Sequence, residues 1–324
     1  MPTATNQGGD KKALIVGVTY KHNHNLRQNN LPVQPGASRD AEKLKKLLME
    51  VYHYHEQDIV VMTDANDTRQ DSKEYPNRKN IMEAMKRLVE DRQHGDHVVF
   101  AFSGHGGQVD AVVDQKEKDK KDEILMPADC EIVQVKGQYE YKNYILDDEL
   151  RQTIVDSLDK GVRCTMIFDC CSSGTASDLP YTDSPDPTDS PELTASPDTP
   201  TRSTSGGYVK GATVSDANAT GSSNLVPQGG TLEHVISWSA CLDGQVTFGK
   251  RTGGIFLEAF TRILLGPKSE YTNRDLLAQL RKEVDIVTAK ANKNSIKGNL
   301  YETPQPQFGS LYNPESILDE PFLL

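Results

Sequence analysis

Long apolar runs are absent from this 324-residue chain. The longest, residues 98–102, has five members, against the ~20 that a membrane-spanning helix needs, so no membrane segment is expected. The first twelve residues are polar and lack the apolar stretch of a secretory leader. Cysteine is sparse as well. The five present, Cys130, Cys164, Cys170, Cys171 and Cys241, form no C-x-x-C pair, which argues against structural zinc. An odd count without a leader points to reduced thiols in the cytoplasm or nucleus. Positive charge is in deficit: 36 Lys and Arg face 47 Asp and Glu, a net charge of −11. That balance argues against nucleic acid as the main partner. Neither G-x-G-x-x-G nor a P-loop pattern occurs, which weakens a nucleotide- or flavin-binding reading.

What is present is an alternation of strand and helix patterns from Lys11 to Gly174. Ala13-Leu14-Ile15-Val16-Gly17-Val18 reads as a buried strand. An Asn- and His-rich loop follows, then Ala41, Leu44, Leu47, Leu48 and Val51 at helical spacing. A strand at 58–62, a helix marked by Ile81, Ala84, Met85, Leu88 and Val89, and a strand at 97–102 come next. Residues 123–126 are compatible with a further short strand. Leu150, Ile154, Val155 and Leu158 mark a helix that feeds a strand at 163–168. This rhythm implies an α/β fold, a mostly parallel central sheet with helices on both faces.

The order breaks after Pro180. Between residues 181 and 206 there are three hydrophobic residues, five prolines and five acids, too little apolar surface to offset conformational entropy. The chain therefore divides into a short N-terminal tail (1–10), a large part (11–180), a disordered Pro/Ser/Thr/Asp-rich linker (181–232) and a smaller part (233–324). The last resumes with His234-Val235-Ile236-Ser237-Trp238, carries two helices and a final strand near Phe308, and is expected to complete the same sheet.

Two of the strands end in chemistry-bearing turns: Ser103-Gly104-His105-Gly106-Gly107 and Asp169-Cys170-Cys171-Ser172-Ser173-Gly174. In an open α/β sheet, sites form beyond the carboxyl ends of the strands. One rim thus receives an imidazole and a thiol, the parts of a Cys–His hydrolase. The glycines permit sharp turns and close approach, and amides in such turns can face a developing oxyanion, here those of Gly106 and Cys171. A cysteine after a strand is more often a small buried hydrophobe, the role expected for Cys130, Cys164, Cys170 and Cys241. A redox-active Cys170–Cys171 pair would close a strained ring. What separates Cys171 from the others is the Gly-flanked His105 at the same edge.

Together with Asp122-Glu123, Pro127-Ala128-Asp129, Leu146-Asp147-Asp148-Glu149 and Asp178-Leu179-Pro180-Tyr181, these turns resemble a type I metacaspase, of the fungal kind. The resemblance runs from about Lys11 to Tyr181 and resumes near Ile236. It implies a caspase-like fold with large- and small-subunit-like parts, Cys171 as nucleophile, His105 as its partner, and cleavage of protein substrates after Arg or Lys. By resemblance the basic side chain is held by Asp40, Ser103 and Asp169, and an activating calcium ion by Asp122, Asp147, Asp148 and Asp178. A monomer is implied too. This chain departs from the pattern at Ser172, where the family often has His, and at Ala37, where many relatives carry Cys.

Plainer readings stand beside these. Asp40 begins the 41–51 helix, where an acid is favoured anyway, and Ser103 is a natural turn residue. Asp147, Asp148 and Glu149 suit the first turn of the next helix, and Asp122 lies in a solvated run of mixed charge, Asp114 to Glu123. Arg202 and Lys210 are accessible points for autocatalytic cleavage in the linker. The rival to a calcium-stimulated cysteine endopeptidase is a caspase-like regulatory protein with weak catalysis.

Overall fold

The apolar runs read from the sequence lie side by side. The computed structural model describes residues 9–65, 68–110, 121–136, 138–171, 176–183, 234–242, 245, 247, 249–250, 253–268, 270–293, 300–312 and 317–324. Its first half contains β1 (Lys11–Gly17), α1 (His24–Gln28), α2 (Ala37–Glu50), β2 (Ile59–Thr63), α3 (Arg78–Val89) and β3 (His97–Ser103). Then come β4 (Gly106–Asp110), β5 (Lys121–Leu125), β6 (Glu131–Val135), β7 (Gln138–Lys142), β8 (Ile145–Leu146), α4 (Asp147–Ile154) and β9 (Arg163–Asp169). The remainder contributes β10 (Tyr181–Asp183), β11 (Val235–Ser239), β12 (Gly249–Lys250), β13 (Gly253–Gly254), α5 (Ile255–Leu264), α6 (Asn273–Lys293) and β14 (Gln307–Ser310).

Seven strands form the central sheet in the order β10-β14-β11-β9-β3-β1-β2. β11, β9, β3, β1 and β2 are parallel, and β14 is antiparallel to both its neighbours. Period-two alternation sorts their side chains. Leu14, Val16, Phe100, Phe102 and Met166 share a core with Met85 and Leu88 of α3 and Leu150 and Ile154 of α4. Ala13, Ile15, Val99, Ile167 and Trp238 share the other with Leu44 of α2, Phe260 of α5 and Leu280 of α6. Trp238 packs edge-on against Phe260, Phe308 and Phe322, centroids 5.9, 5.1 and 5.4 Å away. The part from residue 234 onward is thereby built into the same sheet and core.

Several elements differ from the sequence reading. Tyr181–Asp183 falls in the expected linker, but it pairs with β14 as an edge strand. Arg281 of α6 donates to the Asp183 and Pro306 carbonyls and pins that strand's end. The strand foreseen at 123–126 is β5, which belongs to a separate antiparallel sheet, β4-β5-β8. The hairpin β6–β7 was without a signal. Residues 184–233 lie outside the described residues. No helix among the described residues is long and apolar enough to cross a membrane.

Candidate active site

β3 and β9 are adjacent and parallel, with Ser103 opposite Asp169 at their carboxyl ends. His105 and Cys171 therefore emerge at one rim, each two residues past its strand. The backbones touch there: Gly104 N–H donates to the Asp169 carbonyl at 3.3 Å, and a Cβ at Gly106 would stand 2.3 Å from the Cys171 carbonyl oxygen. Gly106 is needed for that approach. The approach is between the Gly106 backbone and the Cys171 carbonyl.

His105 is buried. Its Nε2 lies 2.7 Å from the Pro32 carbonyl, which can only accept, so Nε2 carries the proton and Nδ1 is the basic nitrogen. Gln34 Nε2 approaches Nδ1 at 3.5 Å. Burial holds the imidazole below its ordinary value, opposed by the Pro32 contact, so near neutral pH the ring is uncharged and able to accept a proton.

Cys171 is half-buried, and its thiol is pushed up by burial, opposed by the hydrogen bond to Thr247. The thiol donates to the Thr247 carbonyl at 3.7 Å rather than to the imidazole. The described conformation thus brings His105 and Cys171 to one rim, with the thiol turned toward Thr247. Cys130, Cys164, Cys170 and Cys241 are buried, and burial raises the thiols of Cys130, Cys164 and Cys170, consistent with inert packing.

Beside Cys171 lies an acidic cavity. Asp40, fully buried on the first turn of α2, does not spend its side chain on its own helix. Its Oδ2 accepts from Ser103 Oγ at 3.1 Å and from Gly254 N–H at 2.7 Å, while Oδ1 has no partner among the described residues. Asp169 Oδ2 accepts from Leu257 N–H at 2.8 Å. Burial raises both carboxyls, and the Asp169 charge raises Asp40 further. The cavity they share with Gln34, Cys171, Thr247 and Gly254 has a volume of about 20 Å³. That admits roughly one water, not a guanidinium chain.

The second acidic set surrounds α4. Asp122 on β5 and Asp147 at the start of α4 are buried. β5 and β8 pair Ile124 with Leu146, which brings these two acids to neighbouring positions. Asp147 Oδ1 accepts from Asp148 N–H at 2.9 Å, a local capping contact. Asp178 Oδ2 stands 3.6 Å from Arg151 Nη1. Glu149 pairs with Arg78 and accepts from Leu146 N–H. The donors are the hard oxygens calcium takes, but among the described residues no three acidic, His or Cys side chains converge on one point, and Arg151 already neutralises Asp178. Ser172, Ser173, Gly174, Arg202 and Lys210 lie outside the described residues.

Comparison with known proteins fits this geometry. The family model described as "Metacaspase, peptidase C14 domain" matches residues 11–180. The chain belongs to the metacaspase family. Metacaspase-1 of Schizosaccharomyces pombe is 37% identical over 174 residues, 54% of this chain and 36% of that protein. Metacaspase-1 of Pyricularia oryzae is 39% identical over 174 residues, 53% and 39% of the two chains. Metacaspase-1 of Cryptococcus neoformans is 32% identical over 298 residues, 85% of this chain and 60% of that protein. This metacaspase chain thus spans from about a third to three fifths of those relatives' lengths. Among solved structures, caspase-1 from Spodoptera frugiperda aligns with TM-score 0.50 at 12% identity, over 96% of this chain and 93% of that one. Protein GSU0716 from Geobacter sulfurreducens aligns with TM-score 0.54 at 14% identity, over 96% and 97%. The shared architecture is the caspase-like α/β fold.

The sequence reading missed the groups that hold the site. Tyr20, Pro32 and Gln34 sit in the Asn- and His-rich loop, which has no periodicity to read. Thr247 and Gly254 reach the site from far along the chain, and only the fold brings them there.

Proposed function

We propose that this metacaspase is a cysteine endopeptidase that cleaves protein substrates after Arg or Lys, with Cys171 as nucleophile and His105 as base. The observation that carries the reading is the contact between the Gly106 and Cys171 backbones beside the Asp40–Asp169 cavity. In this reaction the Cys171 thiol leaves the Thr247 carbonyl and gives its proton to His105 Nδ1. The thiolate attacks the substrate carbonyl carbon, and the Gly106 and Cys171 amides face the oxyanion. His105 returns the proton to the leaving amine as the peptide bond breaks. It then takes a proton from the water that hydrolyses the thioester, restoring the thiol.

A basic side chain suits the cavity because buried carboxylates bind guanidinium strongly and with geometric selectivity. Entry requires Thr247 and Gly254 to withdraw, so the described conformation is a latent one. That latency is also what supports the second reading, a regulatory caspase-like protein with weak catalysis. Asp122, Asp147, Asp148 and Asp178 would hold a calcium ion once Asp178 leaves Arg151. A bound ion would supply positive charge to acids buried beside β5.

Autoprocessing in the linker is favoured by where β10 ends. It runs parallel to β11, so Asp183 leads toward the rim that carries Cys171. The strand order places it three strands from β9, roughly 14 Å at ~4.8 Å per strand. Arg202 lies nineteen positions beyond Asp183, an extended reach of up to ~60 Å. Intramolecular cleavage at Arg202 or Lys210 is therefore within range. A cytoplasmic monomer remains part of the proposal.

The test is hydrolysis of Arg-, Lys- and Asp-terminated fluorogenic peptides, with and without calcium, by the native chain and by Cys171→Ala. Turnover of Arg and Lys peptides that vanishes in Cys171→Ala supports the reading. Turnover that survives the substitution rejects Cys171, and turnover of Asp peptides alone rejects the acidic specificity pocket. No hydrolysis by native chain whose Cys171 is intact selects the regulatory reading.

A further inference from the structure

Three residues beyond β1, Tyr20 is fully buried with φ at +57°, in the left-handed region that bulky residues rarely adopt and that clusters at functional sites. Its hydroxyl accepts the His105 N–H at 2.7 Å and donates to the Met126 carbonyl at 2.6 Å. Met126 N–H in turn donates to the His105 carbonyl at 3.1 Å. The main chain of His105 is thus closed into a small ring of hydrogen bonds with the phenol and the Met126 peptide. The Tyr20 ring lies against the imidazole, centroids 4.6 Å apart and planes inclined by 32°. The same loop supplies the imidazole's remaining partners, Pro32 and Gln34, and Gln34 N–H is tied back to the Thr19 carbonyl at 2.9 Å.

We propose that Tyr20 is a positioning residue for His105, fixing the height and the plane of the imidazole relative to Cys171. The inference rests on the reading of His105 as the base. A core-filling role would need only the ring, and phenylalanine would serve it. Here the hydroxyl is used twice, in the two directions a phenol allows, on the residue that must present Nδ1 to the thiol. Burial also holds the phenol well above its ordinary value, so it stays protonated and remains a donor over the working pH range. Without it, two buried backbone groups lose their partner, and the peptide bearing the imidazole is released at one end.

Tyr54 provides a matched control. It too is a buried tyrosine, but it packs in the opposite core, and its hydroxyl has no hydrogen-bond partner among the described residues. Tyr20→Phe, Tyr54→Phe and His105→Ala are to be compared with the native chain, with sites counted by active-site titration. For Tyr20→Phe, kcat on an Arg-terminated peptide is expected to fall at least ~10-fold per titrated site, with KM held within about twofold. Cys171 alkylation by iodoacetamide should slow in parallel. The acid limb of that alkylation profile should move up toward the ordinary imidazole value, because a loosened ring regains water. Tyr54→Phe should match the native chain in all three. Gly104→Ala places a Cβ 2.7 Å from the Tyr20 hydroxyl and perturbs the same bridge with the tyrosine retained. It should show the same kcat-selective loss, and it decides the matter if Tyr20→Phe does not fold. Native kcat and alkylation in folded Tyr20→Phe, or a loss confined to KM, overturns the inference while the dyad stands. Turnover persisting in His105→Ala removes the base, and the inference with it.

Discussion

A methyl group added at Gly106 has no room. Its carbon would stand 2.3 Å from the Cys171 carbonyl oxygen, with the Sγ and Cβ of Cys170 at 3.2 and 3.3 Å. Ordinary contact begins near 3.4 Å, so the two rim segments must part by about 1 Å. One of them carries the imidazole and the other the thiol, so the separation falls on the reacting atoms. A misplacement of ~1 Å costs about 10²-fold in rate, or ~2.7 kcal/mol of barrier. Overpacking should also remove ~1–3 kcal/mol of stability. Gly107→Ala is the control from the same stretch. There the nearest atom is Met126 Cε at 2.9 Å, the end of a flexible side chain that can swing aside. The assay is kcat/KM on an Arg-terminated peptide per titrated site, beside the melting temperature of each variant. Gly106→Ala should be crippled and Gly107→Ala close to the native chain. Equal activity in the two variants would refute the argument that this backbone contact sets the dyad geometry.

Three further outcomes are expected. Asp40→Asn should lower kcat/KM for Arg peptides on the order of 10²-fold by removing one partner of a buried charge pair. It should also flatten the pH dependence of stability. Burial and the Asp169 charge raise the Asp40 carboxyl, so the stability contributed by its protonation is fully present below the ordinary carboxylate range and is lost as pH rises through the raised folded value. Thermal melts from acid to mildly alkaline pH should therefore decline more steeply for the native chain than for Asp40→Asn, and identical slopes would count against the buried pair. Trp238→Ala, which empties the junction with Phe260, Phe308 and Phe322, should cost ~3–5 kcal/mol in denaturant unfolding, and a loss below 1 kcal/mol would show that the sheet closes without it. Calcium titrated by calorimetry into the native chain should give a binding isotherm that Asp147→Asn abolishes, whereas an unchanged isotherm would place the ion elsewhere.

The sheet was legible because its strands are apolar, β-branched and punctuated: 11–17, 97–103 and 163–169 end in Gly17, Ser103 and Asp169, and the last two endings lead into His105 and Cys171. The parallel order followed from the intervening helical spacing. What escaped notice is held by contacts distant in sequence. β10 has the polar composition of the linker it adjoins and is a strand only because β14 offers an edge and Arg281 caps its end. Asp40 reads from the residues alone as a helix-start acid and is linked to the pocket only by resemblance; the group that binds it, Gly254, lies 214 residues away. Tyr20, Pro32 and Gln34 lie in a loop whose composition says only that it turns. Thr247 as the thiol's partner leaves no trace in composition or period, since a backbone carbonyl is the same at every residue.

The central claim is that one thiol of five is the nucleophile and that His105 draws its proton. The direct measurement is covalent capture: incubate the chain with a peptidyl-arginine chloromethyl ketone and map the adduct by tandem mass spectrometry, beside His105→Ala. The account predicts a single adduct on Cys171, forming far more slowly in His105→Ala. An adduct on Cys170 or Cys241, or equal labelling rates in the two proteins, would contradict it.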